Sequence, residues 1–164
     1  MLADLNSTED GYVARYERLY QHTVQDVWRV LTNNEQLKTW MPNLEVKDLR
    51  KDGVITFHFN DGSGSSFDMR ILEMEPLSVL EFEWGKGRVR FELTPKQQGT
   101  RLVLKDFFKE LSAHVPKDMA GWHVCLDMFA VVLDGHEMDF PKEDWEKWYE
   151  QYVALVDQVE SGPL

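Results

Sequence analysis

Between residues 44 and 109, apolar and polar side chains alternate with a period of two through six consecutive runs. That period belongs to a half-buried antiparallel sheet, because successive side chains of a strand point to opposite faces. Turn chemistry separates the runs at Lys51-Asp52-Gly53, Asp61-Gly62-Ser63-Gly64, Glu75-Pro76, Gly85-Lys86-Gly87 and Lys96 through Gly99. Ile55, Phe57, Phe59, Phe67, Met69, Ile71, Leu80, Phe82, Trp84, Val89, Phe91, Leu93, Leu102 and Leu104 share the apolar face. Thr56, His58, Asp68, Arg70, Glu81, Glu83, Arg88, Arg90, Glu92 and Lys105 take the wet one.

A dry sheet face needs a cover, and the flanking segments supply it. Residues 12–20 read as one more strand; Thr23, with Asp26 three residues on, then caps a first short helix, and Asn33 caps a second that ends before Pro42. Residues 117–134 lack internal proline, and Gly135 is placed to stop them, which gives a rod of roughly 27 Å. That helix is apolar nearly all round, with only His123, Asp127 and Asp134 as a polar seam, so it must be covered on more than one side. A last amphipathic helix from Pro141, carrying Trp145, Trp148, Tyr149, Tyr152, Val153 and Val156, can cover a second flank. The expected fold is α+β: a curved antiparallel sheet of about seven strands around a long C-terminal helix, with two short helices after the first strand and an extra terminal helix. One domain is expected over residues 12–158, with tails at 1–11 and 159–164.

Composition narrows the partners. The 29 acidic residues against 18 basic ones leave a net charge of −11, which repels phosphate backbones, so nucleic acid is not an expected partner. No stretch reaches the roughly 20 apolar residues of a membrane span, and residues 1–10 lack the basic and apolar regions of a signal peptide. With Cys125 the only cysteine, a cytoplasmic location is expected.

Three local motifs in order carry a resemblance. Residues 23–40, TVQDVWRVLTNNEQLKTW, pair valine with tryptophan, then leucine with threonine, and place a tryptophan before the next strand. Leu72-Glu73-Met74-Glu75-Pro76 precedes an apolar run ending at Trp84, and Gly121-Trp122 opens a series continued by Leu126, Phe129 and Leu133. With the element order, these resemble the activator of heat-shock protein 90 ATPase homologue family of the SRPBCC, START-like (helix-grip) superfamily. Two positions depart from it: Val24 stands where a proline often opens the first helix, and Asp106 where a histidine often follows the seventh strand's leucines.

The resemblance implies a cavity between sheet and long helix, lined by Phe57, Phe59, Phe67, Met69, Phe82, Trp84, Phe91, Trp122, Leu126 and Phe129. Periodicity alone fits a filled core as well, since both need the same alternation. Asp106 continues the inward parity of Leu102 and Leu104 and would orient a ligand there; a strand ending at Lys105 would instead leave it in water, and that is the expectation. His123 and Asp127, at i and i+4, read as a helix-surface pair. His123 and Cys125 project about 200° apart on a helix, so no metal site is expected.

Glu81 and Glu83 are expected to oppose Arg88 and Arg90 across a hairpin, not to form a buried acid pair. No catalytic residue and no cofactor is expected. The leading function is non-enzymatic binding of a small apolar molecule such as a lipid or an aromatic polyketide. A chaperone-type or stress-related protein partner is the alternative, with the Trp145-bearing helix as its surface, and a START-like cyclase or hydrolase comes last. The same helix could also build a homodimer.

Overall fold

A computed structural model describes residues 1–161 of the chain, and residues 162–164 of the expected C-terminal tail lie outside them. Eight strands form one antiparallel sheet in the order β1-β2-β8-β7-β6-β5-β4-β3: β1 (Asp4–Thr8), β2 (Gly11–Tyr20), β3 (Leu44–Asp48), β4 (Val54–His58), β5 (Ser66–Glu75), β6 (Val79–Trp84), β7 (Gly87–Lys96) and β8 (Gly99–Phe108). The sequence led us to expect about seven. The eighth, β1, falls in the stretch assigned to the N-terminal tail: Leu5 alone turns inward among polar neighbours, so its five residues show no apolar period, and pairing with β2 decides them.

Two short helices, α1 (Val24–Thr32) and α2 (Asn34–Trp40), carry the chain from β2 across to β3 at the far edge. The Thr23 hydroxyl accepts the Asp26 amide at 3.1 Å and Asn33 accepts the Glu35 amide at 2.9 Å, which are the caps expected. The long helix α3 (Val115–Leu133) starts two residues earlier than expected, because Pro116 fits the first turn of a helix, where its missing N–H costs nothing. Gly135, at φ 84°, ends it as expected, since that left-handed backbone suits glycine.

Aromatic rings fill the space between sheet and α3. Trp40 packs edge-on against Phe129 at 5.0 Å and Phe91 at 6.5 Å, Phe91 stacks on Phe82 at 6.4 Å, and Tyr20 stacks on Phe129 at 5.4 Å. The two inward tyrosines of β2 also tie the helix down: Tyr16 donates to the Met119 carbonyl at 3.3 Å and Tyr20 to that of Leu126 at 3.0 Å. On the wet face Arg90 sits among Glu73, Glu81 and Glu92, and Glu81 and Glu83 pair with Arg90 and Arg88 in the register expected.

The second flank of α3 is covered by α4 (Lys142–Ser161), whose Tyr152 and Val156 are buried. Here one expectation fails. His123 is only 2% exposed and does not pair with Asp127 on the surface; it stacks on Trp148 at 4.0 Å, with Nδ1 2.7 Å from the Tyr152 hydroxyl. That hydroxyl accepts the Ala3 amide at 3.0 Å, so one tyrosine joins α4, α3 and the start of β1. The i, i+4 reading assumed a solvent-facing seam, and the docking of α4 removed it.

Burial holds the His123 imidazole down to about pH 4, below its ordinary value, so the unfolded chain binds the proton more readily. The contribution of His123 to stability should be full above about pH 6.5 and be lost as the pH drops toward 4. Tyr152→Phe should cost about 1–3 kcal/mol at pH 7, since it leaves the buried Ala3 amide and the imidazole nitrogen without their partner. Urea melts of both proteins between pH 4 and 8 measure both effects.

Candidate functional site

The inner face runs out of large side chains at one end of the sheet, where a cavity opens. Its volume is about 670 Å³, and its walls come from Trp84 of β6, the Gly85–Gly87 turn, the end of β8, the segment that follows it, and His114, Val115, Asp118 and Met119 at the start of α3. Two glycines shape the mouth. Gly85 takes φ 58°, and a Cβ on Gly87 would collide with the Phe107 carbonyl, so the β6–β7 turn can be no bulkier.

Of the eleven side chains expected to line a cavity, this one brings together Trp84 and Asp106 alone. Met69, Phe82, Phe91, Trp122, Leu126 and Phe129 are buried in the aromatic core instead, with Trp122 packed on Trp84 at 5.0 Å. Phe57 reaches Trp84 at 5.9 Å, while Phe59 and Phe67 are 46% and 42% exposed at the open end of β4 and β5. They form a ring cluster outside the cover of α3. For most of its area the dry face is therefore a filled core, and the void lies where the core ends.

Asp106 overturns the expectation that it would lie in water. Strand β8 continues to Phe108, pairs Asp106 with Ala14 and Val89, and leaves its side chain inward and only 5% exposed. Among the described residues its carboxyl accepts no hydrogen bond and forms no ion pair within the protein, and its oxygens open onto the cavity; the side-chain polar atom that is both sealed off and without a partner is Arg101 Nε. Burial, aided by the charge of Asp118, pushes its pKa up to about 7. In turn the Tyr16 hydroxyl, completely buried on the neighbouring strand, is raised by burial first and by Asp106 second. Asp118 is raised by its own burial, partly offset by His114.

Sequence reasoning missed Phe108, His114, Val115 and Asp118 as wall residues. The legible signal was the parity of Asp106 and Phe108 beside a turn of two glycines, but which helix end faces that turn is a tertiary matter. Cys125 offers no nucleophile, because burial pushes its thiol up to about 12. No group of three ligating side chains that could hold a metal occurs among the described residues. A second hollow of about 660 Å³ lies across β7 and β8, where Arg88 stacks over Phe107 at 3.9 Å; it is bordered by Glu9, Asp10 and Glu83 and shares Lys86, Gly87, Phe107, Phe108 and Lys109 with the first.

A curved antiparallel sheet closed over a long helix, with a cavity at one end of that helix, defines a helix-grip domain of the START-like kind. The chain belongs to the family described as Activator of Hsp90 ATPase homolog 1-like protein, whose profile matches residues 21–134. Among solved structures, a conserved protein of unknown function from Enterococcus faecalis shares 23% identity and superposes with a TM-score of 0.84 over 94% of this chain and 90% of that one. CalU16 from Micromonospora echinospora shares 22%, with a TM-score of 0.76 over 95% of this chain and 96% of that one. The Aha1 dimer from Colwellia psychrerythraea shares 16%, with a TM-score of 0.64 over 74% and 95%. No curated protein matches the sequence. No described helix is long and apolar enough to cross a membrane.

Because Asp106 holds its proton more tightly folded than unfolded, its own contribution to stability should be full below about pH 4 and be lost as the pH rises through about 7. Asp106→Asn should match wild type near pH 4 and exceed it at pH 8 by about 2–4 kcal/mol. Equilibrium urea unfolding across that range is the measurement; a difference independent of pH would show that Asp106 is not the titrating group.

Proposed function

We propose that this chain is a binding domain for a small, largely apolar organic molecule held at the open end of the grip. The observation that carries the reading is the cavity of about 670 Å³ with Trp84, Val115 and Met119 in its walls and one unpartnered, buried carboxyl, Asp106, beside them. Trp84, Phe107, Phe108, Val115 and Met119 give the site an apolar wall, and the polar side chains that share it, Asp106 deepest among them, can orient what lies there, as small-molecule pockets do. Burying a ring or alkyl chain against these walls supplies affinity, at about 25 cal/mol per Å² of apolar surface, and the carboxyl fixes orientation. Lipids and aromatic polyketides are the ligand classes that suit these dimensions, and membership of a START-like family supports the same choice.

Protein interaction is the second reading, and the exposed rings of Phe59 and Phe67 favour it. Its surface moves from the one first expected. The Trp145-bearing face of α4 is engaged in covering α3, with Trp148 against His123, whereas the β4–β5 rings are open. Acid–base catalysis has weaker support, since among the described residues Asp106 is the buried carboxyl of the cavity wall, while Asp118, Glu110 and the sole wall imidazole, His114, are exposed.

Titration of isotope-labelled protein with long-chain alcohols, fatty acids and aromatic polyketides tests the binding reading by amide NMR. Saturable shifts are expected at Trp84, Gly87, Val115 and Met119 and not at Phe129, and Val115→Trp should fill the site and weaken binding about tenfold or more. A folded sample that responds to none of these compounds would move the reading to protein interaction.

A further inference from the structure

We propose that the cavity selects ligands bearing a protonated amine, whose ammonium group pairs with Asp106 while the apolar body lies against Trp84, Val115 and Met119. This inference rests on the cavity being a ligand site, and adds the chemical class of the ligand.

A carboxylate that is 5% exposed, with no donor of its own protein to satisfy it, is costly unless something else does. The protein offers Asp106 no cation. Among the described residues, Lys86 and Lys109 lie in the same cavity wall but are exposed and make no ion pair with it. The groups nearest its side are of the wrong kind: Tyr16 on β2 has its hydroxyl committed to the Met119 carbonyl, and Asp118 on α3 adds a second negative charge. Glu110 and His114, from the segment leading into α3, complete the titratable wall.

Asp106 is buried and has no ion pair of its own, so it favours a cation at its side over an anion, while Asp118, Lys86 and Lys109 lie exposed around the same void. An ammonium carries three donors, enough to satisfy Asp106 and still reach Asp118 or water. An organic cation fits better than a metal ion, because no third ligating side chain joins these two in a metal-binding group among the described residues, and because five wall side chains, Trp84, Phe107, Phe108, Val115 and Met119, are apolar. The chain's net charge of −11 raises the local concentration of cations and lowers that of fatty acids or phosphate esters.

Three probes that share one apolar body test this: 1-naphthylmethylamine, 1-naphthylmethanol and 1-naphthoate, each titrated at pH 8 against the full chain by amide NMR. The amine should shift Trp84, Val115 and Met119 and bind about tenfold more tightly than the alcohol, with the naphthoate weakest. The advantage of the amine should shrink as the pH falls from 8 to 5 and Asp106 gains its proton. Asp106→Asn should abolish the difference between amine and alcohol at pH 8, and a thermal melt of the variant checks its fold. If the alcohol or the naphthoate binds in the cavity as tightly as the amine, the cavity remains a ligand site and the amine class is overturned. If none of the three shifts a cavity residue, both this inference and the binding reading fall.

Discussion

The architecture depends on the need to enclose α3. A helix apolar on nearly every side cannot lie on a surface, and a single sheet reaches only part of its circumference. The sheet supplies one wall, with Tyr16 and Tyr20 bonded to helix carbonyls, and α1 and α2 bring Trp40 against Phe129. The last flank is taken by α4. The buried Tyr152 and His123 hold this outer layer in register, because a hydroxyl that must satisfy two groups accepts only one position of α4 relative to α3 and β1.

Close packing of that enclosure explains where the site can be. Rings from β2, β6, β7, α2 and α3 touch one another throughout the middle of the molecule, at centroid separations of 5.0 to 6.5 Å. A cavity cannot persist where interlocking rings of that size already meet at native density. It persists at the start of α3, where the sheet presents glycines in the β6–β7 turn and an aspartate where the strand would otherwise carry another large apolar residue. Asp106 therefore has two consequences: it leaves space, and it places a charge there that the protein does not neutralise.

Much of this was legible residue by residue. The alternation through Phe82, Trp84, Val89 and Phe91 sets which face is dry, and the same parity points Asp106 inward. The caps at Thr23 and Asn33 and the stop at Gly135 act over a few residues, so local chemistry sufficed to read them. Strand β1 was not legible, since its residues alternate too weakly and are held by hydrogen bonds to β2. Asp106 was read with the right parity and the wrong strand end, because partners on both sides, at Ala14 and Val89, extend β8 beyond what its own composition supports.

By itself, then, the sequence determined the two faces of the sheet, the order of the elements and the all-round burial demanded by α3, because each follows from periodicity along the chain. Only the tertiary structure decided that Phe91, Trp122 and Phe129 meet one another in a core while Trp84 and Asp106 border a void, and that His123 faces Tyr152 instead of water. Parity states which side a residue faces but not what stands opposite, and that is set by the distance and angle at which separate elements pack.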